Sequence, residues 1–243
     1  MEKDYLIAGL RVRMDTFGRT LAQAEPYLAD TCGEADIVIT SDPQTLKENQ
    51  PHLSLEDCEY LCTGGSFYRQ LLLHGGLMLH SSAIVLDGYA YLFSAPCGTG
   101  KSTHTSMWQR VFGENAVMLN DDKPALKKEQ GRWYAYGTPW SGKTAQNVNM
   151  RIPLGGICVL TRGEKNEIEP YSGAAAIFAL LDQTVRPRVA NVRGELLELL
   201  DDLMSNVPVW RLRCTPTEEA ALVSHAAMSK EAHKRFGGNK NEA

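Results

Sequence analysis

The stretch GYAYLFSAPCGTGKSTHTSMWQRVF, residues 88–112, constrains the fold more than any other part of the chain. It starts with an aromatic and aliphatic run that is typical of a buried strand, and it continues directly into a short turn of small residues. Apolar residues then recur at helical spacing, and Gly113 is typical of a helix end. A strand, a glycine-rich turn and a helix in this order predict a phosphate-binding loop within an α/β domain, because backbone N–H groups and the positive end of the helix can hold an anion.

The segment APCGTGKS, residues 95–102, supplies the loop in this interpretation, although Ala95 stands where the pattern G-x-x-x-x-G-K-[ST] has its first glycine. We expect Lys101 to neutralise the outer phosphates, Ser102 to hold magnesium and Thr103 to hydrogen-bond an inner phosphate. The alternative is an ordinary glycine turn that carries a lysine. The residues predicted to bind the nucleotide are Pro96, Cys97, Gly98, Thr99, Gly100, Lys101, Ser102 and Thr103.

A second segment, GTPWSGKT at residues 137–144, matches the same pattern letter for letter. Pro139 lacks a donor N–H, and Trp140 places a bulky indole where a phosphate would approach the backbone. The following QNVNMRIP alternates like a strand and reaches Pro153 too early for a helix. We therefore predict that this segment does not bind phosphate. Lys143 is expected either to face the same cleft as a substrate contact or to be an ordinary surface lysine.

Two adjacent acids and one histidine are further candidates for a functional site. Asp121 and Asp122 follow the short apolar run AVMLN. Neighbouring residues on an extended segment point to opposite sides, so these carboxylates can divide their roles between a metal and an acceptor; a turn acid or helix cap is the structural alternative. His80 precedes the strand that leads into the phosphate loop, where it is either functional or a satisfied structural residue.

These motifs together resemble those of HPr kinase/phosphorylase. The ordered set LHSSAIVLDGYAYLFSAPCGTGKSTHT and VMLNDD has a histidine-led strand, a GKS loop and an apolar strand that ends in two aspartates. GTGKST followed by NDD is also similar to the kinase motifs of ATP-dependent phosphoenolpyruvate carboxykinase, whose nucleotide-binding core is related. The resemblance covers residues 78–125 and implies an α/β P-loop core with a mixed, strongly twisted sheet and flanking helices.

The resemblance also implies roles for single residues. Asp121 corresponds to the aspartate that handles the proton of the acceptor hydroxyl, Asp122 to the one that assists magnesium, and His80 to a histidine near the transferred phosphate. The expected catalytic residues are therefore Asp121, His80 and Lys101. The glycine-rich, acidic signature stretch that follows the aspartates in HPr kinases is missing, so HPr itself is not predicted as the acceptor.

We therefore expect a kinase that uses ATP and Mg²⁺ and transfers the γ-phosphoryl group to a hydroxyl of a small molecule or peptide. The alternative is a non-catalytic nucleotide-binding accessory or regulatory protein, which the missing signature stretch favours. The segment TVRPRVANVR, with Arg186, Arg188 and Arg193, is either a clamp for an anionic substrate or phosphate over the cleft or a solvated basic loop. The sequence leaves open the acceptor, the choice of ATP over GTP or pyrophosphate, and the oligomeric state, a homo-oligomer included.

Charge and composition argue against other classes of protein. The formal net charge of −4 disfavours a nucleic-acid partner. No stretch approaches the roughly 20 apolar residues that a membrane span needs. The six cysteines are scattered without a C-x-x-C pair, so we expect buried thiols in a reducing cytoplasm. A zinc site made of Cys58, Cys62, His52 and His74 would match no common ligand spacing.

The expected organisation is a single domain over residues 1–228, with an amino-terminal strand and loop part at 1–75 and a nucleotide-binding core at 76–228. A charged, flexible tail is expected at 229–243.

Local patterns add three expectations. LRVRM, residues 10–14, alternates like a half-buried strand. The stretch at 40–54, with two prolines, is typical of a loop. NVNMRIP and GGICVLTRG are predicted as two separate strands.

Overall fold

The computed structural model describes residues 2–31, 33–187 and 190–236. The first part of the chain forms a small sheet of three strands in the order β1, β2, β3, covered by helices. β1 and β2 are antiparallel, and β3 is parallel to β2. The predicted strand at residues 10–14 is confirmed. The elements of this part are β1 (Lys3–Ile7), β2 (Leu10–Met14), α1 (Gly18–Ala24), β3 (Ile37–Ile39), α2 (Pro43–Asn49) and α3 (Leu55–Leu71).

The prediction of a loop over residues 40–54 is wrong in its middle part, because the helix α2 occupies residues 43–49. The Asp42 carboxylate accepts the N–H of Thr45 at 3.0 Å, and Pro43 takes the first helical turn, where no backbone donor is needed. The Ser54 hydroxyl caps α3 in the same way. The proline at position 43 therefore marks the start of a helix.

The rest of the chain builds a nine-stranded mixed sheet with helices on both faces. The strand order is β4-β8-β9-β10-β6-β5-β7, with β12 also paired to β10 and β11 to β12. The elements of this part are β4 (Gly76–Met78), β5 (Ser81–Leu86), β6 (Tyr89–Ser94), α4 (Lys101–Phe112), β7 (Val117–Asn120), β8 (Ala125–Glu129), β9 (Arg132–Tyr136), β10 (Arg151–Arg162), β11 (Glu167–Pro170), α5 (Gly173–Leu181), α6 (Ala190–Asn206), β12 (Val209–Cys214) and α7 (Glu218–Phe236).

Alternating side chains of the strands build two cores, one on each face of this sheet. Along β6, Leu92 packs into the cluster that contains residues of α5 and α6, while Tyr91 and Phe93 pack into the cluster with α4 and α7. Successive residues of a strand point to opposite faces, so one strand serves both cores. The expected α/β fold class, a curled mixed sheet with flanking helices, is confirmed.

Strand β10 joins the two halves of the large sheet. Its first three residues pair with β9, and its later residues pair with β6 and β12. The prediction of two separate strands here is wrong, since one strand runs from Arg151 to Arg162 and contains Pro153. Pro153 lies where β10 has a paired strand on one side only, and a missing N–H donor is tolerated best there.

The prediction that a flexible tail begins at residue 229 is also wrong. Helix α7 continues to Phe236, because Met228 and Ala232 are fully buried against the sheet. His233, Lys234 and Arg235 lie in its last turn, where positive charge suits the helix dipole. Among the helices described, none combines the length and the apolar character that crossing a membrane requires.

Candidate active site

The ends of five strands meet at one edge of the large sheet. β6, β10 and β12 are parallel to one another, and β5 is antiparallel to both β6 and β7. The carboxyl ends of β7, β6, β10 and β12 therefore lie at the same edge as the amino end of β5. Ligands of open α/β sheets bind at such an edge.

The segment after β6, residues 95–100, is the predicted phosphate loop and is called the phosphate loop below. β6 ends at Ser94 and α4 begins at Lys101, as predicted from the sequence. Gly98 and Gly100 have φ values of 76° and 119°, which favour glycine, and a Cβ added at Gly98 would meet no atom within 4 Å. The backbone of the loop is therefore open to an incoming anion, and the first turn of α4 adds its unpaired N–H groups.

Lys101 points back over this loop. Its Nζ donates a hydrogen bond to the carbonyl oxygen of Ala95 at 2.8 Å, and the residue is only 8% exposed. Burial lowers the pKa of Lys101 below its ordinary value, and the nearby carboxylate of Asp122 offsets part of that effect. The Ser102 and Thr103 side chains are exposed at the start of the helix.

His80 and Asp122 form a contact beside the loop. His80 Nε2 lies 3.1 Å from Asp122 Oδ1, and the Lys123 ammonium donates to Oδ2 of the same carboxylate. Burial alone would raise the pKa of Asp122, but the hydrogen bonds from His80 and Lys123 outweigh burial and hold that pKa below its ordinary value. Gln183 fixes His80 from the other side. Its side-chain Oε1 lies 3.0 Å from His80 Nδ1, and its backbone carbonyl oxygen accepts the backbone N–H of His80 at 2.7 Å.

Asp121 is more deeply buried than its neighbour, with 7% of its surface exposed. The Ser82 hydroxyl donates to Asp121 Oδ1 at 2.6 Å, and the same hydroxyl lies 2.8 Å from Thr105 Oγ1 on α4. The backbone N–H of Asp121 donates a hydrogen bond to the backbone carbonyl of Gln146. Asp121 is thus connected to the helix that carries the phosphate loop.

The first five residues of the second lysine motif, 137–141, belong to the core. Trp140 is fully buried, stacks on Phe67 with ring centroids 4.9 Å apart, and donates its indole N–H to Thr63 Oγ1 at 3.1 Å. As predicted, no helix follows this segment among residues 141–150, all of which the structure describes. Lys143 is exposed in the turn that comes next.

The turn after Trp140 lies against the acids. Gly142 has a φ of 74°, and a Cβ added to it would lie 3.1 Å from the Cβ of Asp122. The amino-terminal part of the chain holds this turn, because the Gly142 N–H donates to the Tyr60 hydroxyl at 2.8 Å and the Gly142 carbonyl accepts from Gln23 Nε2 at 3.1 Å.

A pocket of about 400 Å³ lies on the other side of the phosphate loop, toward β10 and β12. The loop and the start of α4 form one wall. The end of β10 and the residues that follow β12 form the other. Arg162, the last residue of β10, donates from Nη2 to the carbonyl of Gly98 at 2.8 Å.

A family model described as SynChlorMet cassette protein ScmC matches residues 61–219, which include the phosphate loop, His80, both aspartates and Gln183. The chain belongs to the ScmC family. A search of curated proteins finds no match for this ScmC-family chain. Among solved structures it is similar to the HPr(Ser) kinase/phosphatase from Coxiella burnetii, at 11% identity and a TM-score of 0.39, over 66% of this chain and 99% of that one.

The predicted site residues of this ScmC-family chain fall into two groups. His80, Lys101, Asp121 and Asp122 lie at the same sheet edge. Arg186 instead forms an exposed ion pair with Asp182 at 2.6 Å, and Arg188 lies outside the described residues.

Sequence reasoning did not find several side chains that hold the site together. These are Ser82, Thr105, Lys123, Arg162 and Gln183. Lys123 alone had a local signal, its position next to the two acids. The other four reach the site through the order of the strands and the packing of the helices.

Proposed function

We propose that this protein is an ATP- and Mg²⁺-dependent kinase that transfers the γ-phosphoryl group to a hydroxyl of a small molecule or peptide. One observation carries the proposal. A phosphate loop, with its buried lysine, shares a sheet edge with Asp121 and the His80–Asp122 contact. Phosphoryl transfer needs those parts together: a cradle for the phosphates, a cation, and carboxylates for the metal and the acceptor.

The residues of the loop suit a nucleotide. The two glycines with positive φ open the backbone to an anion, and Lys101 is held within the loop by a neutral carbonyl group. When phosphates bind, Lys101 can exchange that carbonyl for a phosphate oxygen, which is the stronger, charge-assisted partner. Loss of this lysine is therefore expected to weaken nucleotide binding.

Ser102 and Asp122 would hold magnesium in this proposal. A hydroxyl and a carboxylate are hard oxygen ligands of the kind Mg²⁺ prefers, and the lowered pKa of Asp122 keeps its carboxylate charged near neutral pH. The metal would neutralise charge that develops on the phosphates. Within the described residues, no group of three or more His, Cys, Asp or Glu side chains could hold a metal, so phosphate oxygens would complete the ligand set.

Asp121 is proposed to accept the proton of the acceptor hydroxyl. Ser82 holds its carboxylate in one orientation, and the link to Thr105 fixes it relative to the phosphate loop. His80, held by Gln183, would stand near the transferred phosphate. Acceptors with an anionic group would meet Lys143, which is exposed in the turn that follows Trp140, and Arg186, whose ion pair with Asp182 is exposed.

A second candidate is a nucleotide-binding accessory protein without an acceptor of its own. The observation in its favour is that both carboxylate oxygens of Asp122 are already engaged, one by His80 and one by Lys123.

The two functions are separated by ATP turnover with a panel of hydroxyl metabolites and peptides. We expect at least one acceptor to be phosphorylated, and Asp121→Asn to lower the rate about 100-fold or more while nucleotide affinity is kept. Asp201→Asn, on the exposed side of α6, is the matched control and should behave like the wild type. ATP binding without any turnover that depends on Asp121 would support the accessory protein and contradict the kinase.

A further inference from the structure

Arg162 is placed at the phosphate loop by strand register. β10 is paired with β6 up to Val159, opposite Ser94, and with β12 up to Arg162, opposite Cys214. The strand therefore extends three residues beyond its last pair with β6. Because the phosphate loop begins where β6 ends, this extension runs beside the loop. The Arg162 side chain closes the gap by donating to the carbonyl of Gly98 at 2.8 Å.

Among the described residues, no acid forms an ion pair with the Arg162 guanidinium. Arg211 and Arg213, on the adjacent strand β12, are paired with Glu169 and Glu167 of β11. Arg162 is exposed and, within the residues that the structure describes, has no carboxylate as an ion-pair partner. A guanidinium carries five N–H donors in a fixed plane, so the bond to Gly98 leaves donors for a second partner. That partner is expected to be an anion.

The pocket beside Arg162 has the size and lining of a nucleoside site. Its volume of about 400 Å³ falls within the usual range for small-molecule sites. Met107, Leu160 and Pro216 supply apolar surface that can pack on a planar base, and Thr103 and Thr215 supply hydroxyls for a ribose or a base edge. The pocket opens directly onto Gly98 and Gly100 of the loop.

We infer that Arg162 binds the phosphate chain of a nucleoside di- or triphosphate whose nucleoside half occupies this pocket. This rests on the proposed function and adds the side from which the nucleotide enters. The pocket and the acids lie on opposite sides of the loop, since the strand order is β12, β10, β6, β5, β7. A nucleoside beside β10 and β12 directs the outer phosphate toward Asp121 and Asp122, where the acceptor must be.

The test is equilibrium binding of adenosine, ADP and ATP by titration calorimetry, with magnesium present. We expect Arg162→Ala to weaken ADP and ATP about tenfold or more and to leave adenosine within twofold, because the contact is to phosphate. Arg162→Lys should recover part of the loss by keeping the charge. Arg213→Ala is the matched control: the residue lies on the next strand, is paired with Glu167, and should bind all three ligands like the wild type.

The outcomes separate this inference from the proposed function. If Lys101→Ala loses ATP affinity and Arg162→Ala does not, the role of Arg162 is wrong and the proposed function stands. An equal loss of adenosine in Arg162→Ala also overturns the inference, because it would indicate a damaged pocket. If the wild type binds no nucleotide, the proposed function fails as well. Thermal unfolding of each variant shows whether the fold is kept, and Arg162→Lys gives the answer if Arg162→Ala does not fold.

Discussion

The buried carboxyl group of Glu59 makes the stability of this protein depend on pH in a defined window. Glu59 lies on α3 with 1% of its surface exposed, and the Thr20 hydroxyl of α1 donates to one of its carboxylate oxygens. The other oxygen, Oε1, is buried without a hydrogen-bond partner among the described residues. Burial raises the pKa of Glu59 from 4.5 to about 7, and this effect exceeds the opposing influence of the Thr20 hydroxyl, the Phe17 backbone N–H and the Arg19 cation.

The direction of the effect follows from proton binding. Between pH 4.5 and about 7 the folded protein keeps a proton that the unfolded chain has released, so the free energy of unfolding falls as pH rises. The contribution is fully present below pH 4.5 and is lost above about pH 7. A pKa difference of this size corresponds to about 3 kcal/mol. Burial also lowers the pKa of His104 to about 4, which gives the opposite slope between pH 4 and 6.5, so only a comparison of variants isolates Glu59.

Glu59→Gln keeps the shape and the hydrogen bond to Thr20 but cannot ionise. Urea unfolding followed by tryptophan fluorescence, at pH values from 4.5 to 8, gives the free energy of unfolding of each protein. We expect the variant to gain about 3 kcal/mol relative to the wild type between the two ends of this range. Glu48→Gln, at an exposed glutamate on α2, should leave the wild-type slope in place. A difference between Glu59→Gln and wild type that stays constant within about 0.5 kcal/mol would refute the reasoning.

Two further predictions concern the turn that follows β9. Gly142→Ala should lower the free energy of unfolding by about 1–3 kcal/mol and reduce phosphoryl transfer, because the φ of 74° is unfavourable for alanine and the new Cβ would lie 3.1 Å from the Cβ of Asp122. Gly194→Ala is the control in thermal unfolding: a Cβ at that position meets no atom within 4 Å, so this variant should not destabilise the protein. Trp140→Ala should cost about 3–5 kcal/mol in urea unfolding, and folded protein should still bind ATP; a stable variant that no longer binds ATP would contradict the structural role of Trp140.

The parts of the fold that depend on residues close together in the sequence could be predicted from the sequence. The strand, loop and helix around Lys101 follow from apolar spacing and small residues within a short stretch, and the two acids follow an apolar strand directly. α3 escaped prediction because polar side chains lie on its buried face: Glu59 and Thr63 are almost fully buried and obscure the helical pattern. Hydrophobic periodicity cannot identify a helix that buries a carboxyl group and a hydroxyl.

The parts of the candidate site that depend on strand order could not be predicted. Gln183 reaches His80 from 103 residues away, and Arg162 reaches Gly98 from 64 residues away. The first contact requires that the residues after α5 reach the start of β5, and the second requires that β10 lies beside β6. No local pattern encodes either arrangement. The sequence predicted two strands where the structure has the single strand β10, because a proline such as Pro153 interrupts most strands.

The central claim is that the loop before α4, and not the segment around Trp140, holds the phosphates of a nucleotide. Calorimetric titration of Mg-ATP into wild type, Lys101→Ala and Lys143→Ala measures it directly. We expect Lys101→Ala to weaken binding about tenfold or more, and Lys143→Ala to stay within a few-fold of the wild type. Unchanged affinity in Lys101→Ala, together with a loss in Lys143→Ala, would contradict the account.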